Sequence, residues 1–241
     1  MKLFCIGCGP GDPDLLTLKA LNLIKDAEVI FVPTSRPNKE SIVLSIVQKF
    51  IMSKTQIKNL IFPMVKNRDS LQDQWKYNAE EIAKVVREGK RTIYLTVGDP
   101  SLYSTWIYIH REIRKNHSDI EIEIIPGITS IFAFAAEARL SLVEGDETLS
   151  IVPACYDLNK VKKTVMSSDT IVFLKDGRYF DNVIEMLSDV GFTDDSQIAI
   201  ATDVSTNKNT LEMKTLGTIK GKKQQNQKYF SIMVVKRNDR K

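Results

Sequence analysis

The segment Gly7–Pro13 limits the fold more than any other part of the chain, because three glycines at alternate positions are followed by Asp-Pro. Residues 2–6 predict a short buried strand, and apolar residues between 15 and 27 recur at helical spacing. Asp12 is a favourable N-cap and Pro13 a favourable first helical residue. The segment is therefore predicted to be a turn between a strand and a helix. Because glycine lets a ligand approach the main chain, the turn is a candidate ligand loop, with a tight structural connection as the alternative.

The glycine spacing is close to the dinucleotide-binding fingerprint G-x-G-x-x-G, but it differs at one position. The third glycine of that fingerprint would stand at position 12, which is occupied by Asp12. A carboxylate there would face the pyrophosphate that the fingerprint binds. This argues against a nucleotide-binding oxidoreductase, which stays the alternative from a different functional class.

The strand–turn–helix pattern repeats along the first 140 residues. Further strands are predicted at 29–32, 57–62, 92–97 and 120–125, and helices at 41–50, 75–87, 101–116 and 127–138. The alternation predicts an α/β domain with a mainly parallel sheet and helices on both faces. Ligands of such sheets bind beyond the carboxyl ends of the strands, where the turns 7–13, 98–101 and 126–130 fall.

The polar, acidic segment 139–147 is the predicted domain boundary. It separates an N-terminal α/β domain, residues 1–140, from a C-terminal α/β domain with a mixed sheet, residues 147–241. In the second domain, strands are predicted at 149–152, 170–174 and 198–201, and helices at 158–165 and 179–190. Segments 211–215 and 229–235 are predicted to pair with each other as antiparallel strands, with 217–228 as their hairpin loop.

Composition excludes several functional classes. No stripe of Lys and Arg is interleaved with aromatic residues, so no nucleic-acid partner is expected. No run of about 18 apolar residues predicts a membrane span. Three cysteines in 241 residues indicate a reducing, cytoplasmic location and not a disulfide framework. No metal site is predicted, because Cys5-x-x-Cys8 lacks further zinc ligands and odd spacing in a strand points the two side chains to opposite faces.

Two later segments make the first turn more specific. Gly98-Asp99-Pro100-Ser101-Leu102-Tyr103 follows the fourth predicted strand, and Pro126-Gly127-Ile128-Thr129-Ser130 follows the fifth. Together with 7–13, in this order, they resemble the tetrapyrrole (corrin/porphyrin) methylase family of S-adenosylmethionine-dependent methyltransferases. The resemblance implies a class III methyltransferase fold of two α/β domains with an active-site cleft between them, a homodimer, and a tetrapyrrole substrate.

Residues 101–106 and 142–149 resemble one branch of this family, the precorrin-2 or cobalt-factor II C(20)-methyltransferases. That branch methylates a meso carbon of its substrate in cobalamin biosynthesis. Another tetrapyrrole methylase, acting on uroporphyrinogen III or on a later precorrin, is the alternative. The sequence does not distinguish metal-free precorrin-2 from its cobalt complex.

The resemblance also implies which residues bind S-adenosylmethionine. The expected cofactor-binding residues are Pro10, Val97, Gly98, Asp99, Leu102, Thr129, Ser130, Leu174, Ala201 and Thr202. The last three are expected beside the adenine, where Leu174 replaces the Met that the family often carries. Asp99 could instead be a turn or helix-capping acid, and Thr129 and Ser130 could be helix caps.

A tetrapyrrole with eight carboxylate side chains calls for scattered basic residues in place of a single clamp. The expected substrate-binding residues are Gly9, Gly11, Asp12, Arg36, Tyr103, Lys175 and Arg178. For Tyr103, packing of a helix on the sheet together with Trp106 is the alternative. No catalytic base is assigned, because the substrate's own pyrrole nitrogens supply the electrons for attack on the methyl group.

Overall fold

The computed structural model describes residues 1–63, 68–153, 157–174, 180–222 and 231–238. The chain divides into two compact units, Met1–Thr129 and Ser130–Lys241. Each unit contains one five-stranded sheet. The two sheets lie within the predicted ranges 1–140 and 147–241, and the bounds of those domains stay a prediction.

The sheet of the first unit is entirely parallel, with the strand order β3-β2-β4-β1-β5. This confirms the mainly parallel sheet predicted from the strand–helix alternation. Its strands are β1 Lys2–Gly7, β2 Val29–Thr34, β3 Gln56–Ile61, β4 Thr92–Thr96 and β5 Glu121–Ile125.

Four helices cover the two faces of this sheet: α1 Leu18–Lys25, α2 Ile42–Val47, α3 Arg68–Arg87 and α4 Trp106–Asn116. Helices α1 and α2 share one hydrophobic cluster with Cys8, whereas α3 and α4 share another with Cys5. The two cysteines are therefore buried on opposite faces, as their spacing predicted. Among the described residues, no group of His, Cys, Asp and Glu is arranged to hold a metal ion.

The second unit has a mixed sheet in the order β6-β7-β10-β8-β9, in which β6 and β7 are parallel and the other pairs antiparallel. The strands are β6 Leu149–Pro153, β7 Thr170–Leu174, β8 Gln197–Thr202, β9 Thr210–Thr215 and β10 Ser231–Lys236. The helices are α5 Ser130–Glu137, α6 Leu158–Met166, α7 Phe180–Asp189 and the short α8 Leu216–Ile219. Helices α6 and α7 pack on one face of the sheet. The mixed sheet agrees with the prediction.

One predicted strand pairing is wrong. Strands β9 and β10 do not pair with each other, because β8 lies between them. Local apolar patterns identify strands but do not identify their partners, and β10 is buried along nearly its whole length because it is the central strand. The predicted hairpin loop 217–228 begins in α8 and continues outside the described residues.

Three helices, α1, α4 and α5, begin later than their patterns predicted, and α5 starts at Ser130 and not at residue 127. After the first turn, Pro13–Leu15 forms only a 3-10 turn, and α1 starts at Leu18, where the Thr17 hydroxyl accepts from the Ala20 amide at 3.2 Å. Helix α4 starts at Trp106 and not at Ser101. In the part of the chain that the structure describes, no helix combines the length and the apolar character needed to cross a bilayer.

Candidate functional site

The order of the strands places a topological switch point at the carboxyl ends of β1 and β4. These strands are neighbours, and the helices that follow them lie on opposite faces of the sheet: α1 on one and α4 on the other. The chain therefore leaves the two strand ends in opposite directions. In open parallel sheets ligands bind at this kind of switch point. The residues placed there are those of the first and second predicted turns.

The two turns are joined by an isolated antiparallel bridge between Gly9 and Gly98. The Gly98 amide donates to the Gly9 carbonyl at 2.7 Å, and the Gly9 amide donates to the Gly98 carbonyl at 3.3 Å. Both glycines adopt left-handed angles, with φ of 74° and 68°, which glycine adopts without strain. Outside residues 97–99, no described atom lies within 4 Å of the position that a Cβ on Gly98 would take. This predicted cofactor residue therefore borders open space.

The third turn, after β5, packs directly against the first two. A Cβ on Gly7 would lie 2.7 Å from both the Gly127 amide nitrogen and the Gly98 carbonyl oxygen. A Cβ on Gly127 would likewise meet the Gly7 backbone at 2.7 Å. The glycines at 7 and 127 are thus required for contact between turns. At these two positions glycine has a structural role, the tight connection that was the alternative to a ligand loop.

The Asp99 carboxylate links the second turn to the third. Its Oδ1 accepts from the Ser101 amide at 2.8 Å and from the Ser101 hydroxyl, and its Oδ2 accepts from the Gly127 amide at 2.9 Å. Burial raises the pKa of Asp99, but the hydrogen bonds from Ser101 and Gly127 outweigh it and hold the pKa below the ordinary value. The carboxylate is therefore ionised at neutral pH. It fills three of its roughly four acceptor positions within the protein.

The rest of the second turn, residues 100–105, is anchored to strand β4 by hydroxyl groups. The Ser104 hydroxyl lies 2.8 Å from that of Thr96 and accepts from the amide of Trp106, the first residue of α4, at 3.1 Å. The Thr105 hydroxyl lies 2.7 Å from the Tyr94 phenol. Sequence reasoning missed Ser104, because its hydroxyl partner Thr96 lies in the preceding strand and local spacing does not indicate that contact.

The aromatic residues of this turn have different environments. Trp106 is 1% exposed and belongs to the core, so the packing alternative holds for it. Tyr103 is 49% exposed and has a left-handed φ of 49°. Tyr103 therefore does not pack α4 on the sheet. Leu102, beside it, is half-buried, and its amide donates to the Asp99 carbonyl at 3.3 Å.

The other predicted residues of the first unit lie near the same edge. Pro10 is buried directly after the bridge, and Gly11 and Val97 are half-buried. The Asp12 carboxylate caps the 3-10 turn by accepting from the Asp14 amide at 2.8 Å. Arg36 is exposed in the loop after β2, the neighbour of β4 on the side away from β1.

Two predicted residues stand where the units meet in sequence. Thr129 is the last residue of the first unit, and Ser130 is the first residue of α5 and of the second unit. Their positions at the start of α5 suit both helix capping and a ligand contact.

In the second unit, the predicted adenine residues Leu174 and Ala201 lie in one row across the sheet. Both are opposite Ile232 of β10, Leu174 from β7 and Ala201 from β8. All three are buried and point to the face opposite the one that α6 and α7 cover. The Thr202 hydroxyl lies 2.7 Å from that of Thr210. Leu174 and Ala201 thus share a row and a face of the sheet on the two strands that flank β10, whereas Lys175 and Arg178 lie outside the described residues.

The acceptor and the open space at the edge of the first unit suit a ligand such as S-adenosylmethionine. The ligand carries an ammonium and ribose hydroxyls, which can donate to the remaining acceptor position of Asp99. The open space over Gly98 lets such a group approach the main chain. These features make the turns 7–13 and 97–103 the candidate site of the first unit.

Comparison with known proteins agrees with this arrangement. Residues 2–220 match the family described as tetrapyrrole (corrin/porphyrin) methylases. The chain is 40% identical over 199 residues to the probable cobalt-precorrin-2 C(20)-methyltransferase of Methanocaldococcus jannaschii, covering 83% of this chain and 81% of the relative. It is 28% identical over 190 residues to the cobalt-precorrin-2 C(20)-methyltransferase of Salmonella typhimurium, covering 79% of each.

A solved structure has the same fold. The uroporphyrin-III C-methyltransferase of Thermus thermophilus, complexed with S-adenosylhomocysteine, superposes with a TM-score of 0.69 at 18% identity. The match covers 98% of this chain and 97% of that one. With the family match across nearly the whole chain and a relative of 40% identity, the chain belongs to the tetrapyrrole (corrin/porphyrin) methylase family.

Proposed function

We propose that the protein transfers the methyl group of S-adenosylmethionine to the C(20) meso carbon of precorrin-2 or of its cobalt complex, in cobalamin biosynthesis. The observation that carries the proposal is the 40% identity, over four fifths of each chain, to a relative named as a probable cobalt-precorrin-2 C(20)-methyltransferase. The second relative, at 28% identity, has the same named activity. The branch-specific residues 101–106 and 142–149 support the same assignment.

The proposed reaction is a direct displacement. The electron-rich meso carbon attacks the sulfonium methyl, a carbon–carbon bond forms as the carbon–sulfur bond breaks, and S-adenosylhomocysteine leaves as a thioether. The methylated product is then cationic, and it becomes neutral by releasing the proton that the meso carbon carried. The pyrrole nitrogens of the substrate supply electron density, so the protein need not provide a nucleophile. Its contribution is to align the two reactants and to exclude water.

The turns 7–13 and 97–103 have groups that can bind and orient S-adenosylmethionine. We propose that Val97, Gly98 and Leu102 contact the methionine and ribose portions, and that Asp99 accepts a hydrogen bond from the ammonium or a hydroxyl. The open space at Gly98 and the ionised state of Asp99 support this. Pro10, Thr129 and Ser130 are proposed as further cofactor contacts. Leu174, Ala201 and Thr202 are proposed beside the adenine, on the resemblance and on the shared row of the first two.

Cofactor binding is tested by calorimetry with S-adenosylhomocysteine and, separately, with NAD. We expect micromolar binding of the first and none of the second, because Asp12 stands where a dinucleotide-binding turn needs glycine. Tight binding of NAD without binding of S-adenosylhomocysteine would instead support the oxidoreductase alternative.

The position of methylation is tested with an isotope-labelled methyl donor and carbon NMR of the product, using metal-free and cobalt-loaded precorrin-2 in parallel. The product is expected to carry one new methyl, on C(20), and mass spectrometry of the two reactions identifies the preferred form of the substrate. Label on another carbon, or faster transfer to uroporphyrinogen III, would assign the protein to another branch of the family.

We also propose that the protein is a cytoplasmic homodimer, on the family resemblance. Cys5 and Cys8 are free thiols, which suits a reducing compartment. Sedimentation velocity at micromolar concentration is expected to give a single dimeric species, and a stable monomer would contradict the proposal.

A further inference from the structure

Five residues other than glycine have left-handed backbone angles in the part of the chain that the structure describes: Asn38, Tyr103, Arg139, Asp203 and Ser205. For an L-residue this conformation brings the Cβ atom too close to the neighbouring carbonyl oxygen. A bulky side chain in it is a real outlier. Each case therefore needs a local explanation.

Four of the five have an ordinary explanation. Arg139 ends helix α5, where the Leu140 amide donates to the Ala135 carbonyl at 2.9 Å, and a left-handed residue commonly closes a helix in this way. Asn38, Asp203 and Ser205 are short polar residues in loops, and Asn and Asp tolerate the conformation well. Ser205 is also held by a 2.7 Å hydrogen bond to Glu137. Tyr103 is the aromatic member of the group.

Core packing does not compensate the strain at Tyr103. The residue is 49% exposed, so its ring is not a core side chain that the fold must accommodate. Its backbone conformation is instead imposed by its neighbours. Asp99 fixes the start of the turn through Ser101. On the other side, Ser104 is tied to the buried Thr96 hydroxyl of β4.

The turn that contains Tyr103 lies at the candidate ligand site. Residues 98–103 follow β4 at the switch point, next to the Gly9–Gly98 bridge. Strained residues that the surrounding structure over-determines are concentrated at ligand sites. An exposed phenol ring beside such a site offers a flat apolar surface with a polar tip, which suits a flat macrocycle with carboxylates on its rim.

We infer that Tyr103 is a specificity-determining residue that contacts the face of the tetrapyrrole, and that Ser104 is the positioning residue that holds it there. The inference rests on the proposed function, because it takes a tetrapyrrole as the substrate class. Ser104 fixes the conformation of Tyr103 and does not itself contact the substrate.

The variant Tyr103→Gly tests the backbone strain and the aromatic ring by two separate measurements. Glycine relieves the strain, so we expect the melting temperature to rise by about 2–4 °C. Loss of the ring is expected to weaken binding of uroporphyrin III, a stable octacarboxylate porphyrin used as the probe, by about tenfold. The KM for precorrin-2 is expected to rise similarly, while the Kd for S-adenosylhomocysteine changes less than about twofold. Tyr103→Phe is expected to retain affinity for the probe.

Arg139→Gly is the matched control, because it relieves the same backbone strain at an ordinary helix end. It should raise the melting temperature by a similar amount and leave the Kd for S-adenosylhomocysteine unchanged. Porphyrin affinity is not its readout, because the substitution removes a cation and the probe carries carboxylates. For Ser104, a double-mutant cycle gives the readout. Ser104→Ala should weaken porphyrin binding in the wild-type background but not in the Tyr103→Gly background, and Ser104→Thr should restore it.

Two results would overturn the inference. One is an unchanged affinity for uroporphyrin III together with an unchanged KM in Tyr103→Gly, and the other is a lowered melting temperature, which would make Tyr103 a structural residue. An equal effect of Ser104→Ala in both backgrounds would overturn its positioning role. Failure of the proposed function would be seen differently, as absence of C(20)-methylated product from the wild-type protein.

Discussion

Asp99 combines the two roles that its position in the sequence left open. The Gly-Asp-Pro segment predicted either a cofactor contact or a turn acid, and the structure gives the carboxylate hydrogen bonds to Ser101, two residues away, and to Gly127, 28 residues away. The local bond was predictable, because Asp commonly accepts from an amide two residues on. The distant bond was not, since it depends on β1 lying between β4 and β5 in the sheet.

The lowered pKa of Asp99 predicts an acid-dependent stability. The group ionises more readily in the folded protein than in the unfolded chain, where its pKa is about 3.9. Its stabilising contribution is therefore present above about pH 4 and is lost as the pH falls through the folded value. We expect Asp99→Asn to unfold at lower urea than the wild type at pH 6, with a difference that shrinks toward pH 3.

The control for a general charge effect is Asp26→Asn, which removes an exposed carboxylate paired with Arg91 at the other end of the sheet. Its effect on the urea midpoint should be small, because exposed pairs contribute about 0–1 kcal/mol. A constant difference between Asp99→Asn and the wild type from pH 3 to pH 6 would show that ionisation of Asp99 does not stabilise the fold.

At the scale of elements, the sequence predicted what depends on local patterning. The strands of the first sheet were recognisable because each is a short apolar run between turn residues, as in β4. The start of α4 was not, since Leu102, Tyr103 and Trp106 have helical spacing. In the structure, hydroxyl bonds from Thr96 and Tyr94 of β4 hold Ser104 and Thr105 in a turn. The pairing of β9 with β8 was not predicted either, because the partners of a strand depend on the order of the whole sheet.

The three turns at the carboxyl edge behave as one packed element, and Gly7 is where this can be tested. A Cβ there would meet backbone atoms of the other two turns at 2.7 Å, so Gly7→Ala should destabilise by about 3 kcal/mol or more. Gly89→Ala is the matched control, because Gly89 is left-handed but no described atom outside residues 88–90 lies within 4 Å of its Cβ position. It should cost only about 1–2 kcal/mol.

Urea denaturation followed by circular dichroism measures both glycine variants. We expect Gly7→Ala also to weaken S-adenosylhomocysteine binding, because the turns must move apart to make room for the alanine side chain. The Gly89→Ala variant should bind S-adenosylhomocysteine as the wild type does. Equal destabilisation by the two substitutions would mean that the turns give way easily and are not packed as one element.

At the scale of the whole molecule, the second sheet depends on its last strand. Strand β10 pairs with β7 on one side and β8 on the other, so it joins the parallel pair β6–β7 to the antiparallel pair β8–β9. Arg237 follows it directly. Its guanidinium donates to the carbonyls of Ser168, Gly191 and Val190 at 3.0–3.2 Å and lies over the Phe192 ring.

We expect Arg237→Lys to destabilise the second unit almost as much as Arg237→Ala, by about 2 kcal/mol or more, because an ammonium cannot make this set of diverging hydrogen bonds. Thermal denaturation measures the change. Arg91→Lys, at an exposed ion pair with Asp26, is the control and should be nearly neutral. Full rescue of Arg237→Ala stability by lysine would show that charge alone matters at this position.

The central place of β10 also has a consequence for the time course of synthesis. Every strand of the first sheet lies within residues 2–125, so that sheet can form while the ribosome is still making the second unit. The second sheet cannot close until residues 231–236 have emerged, more than 80 residues after β6 begins at Leu149. Until then the facing edges of β7 and β8 are unpaired strand edges, which are prone to aggregation. The nascent chain is therefore most exposed to chaperones and proteases late in translation, after the turns of the first unit are already in place.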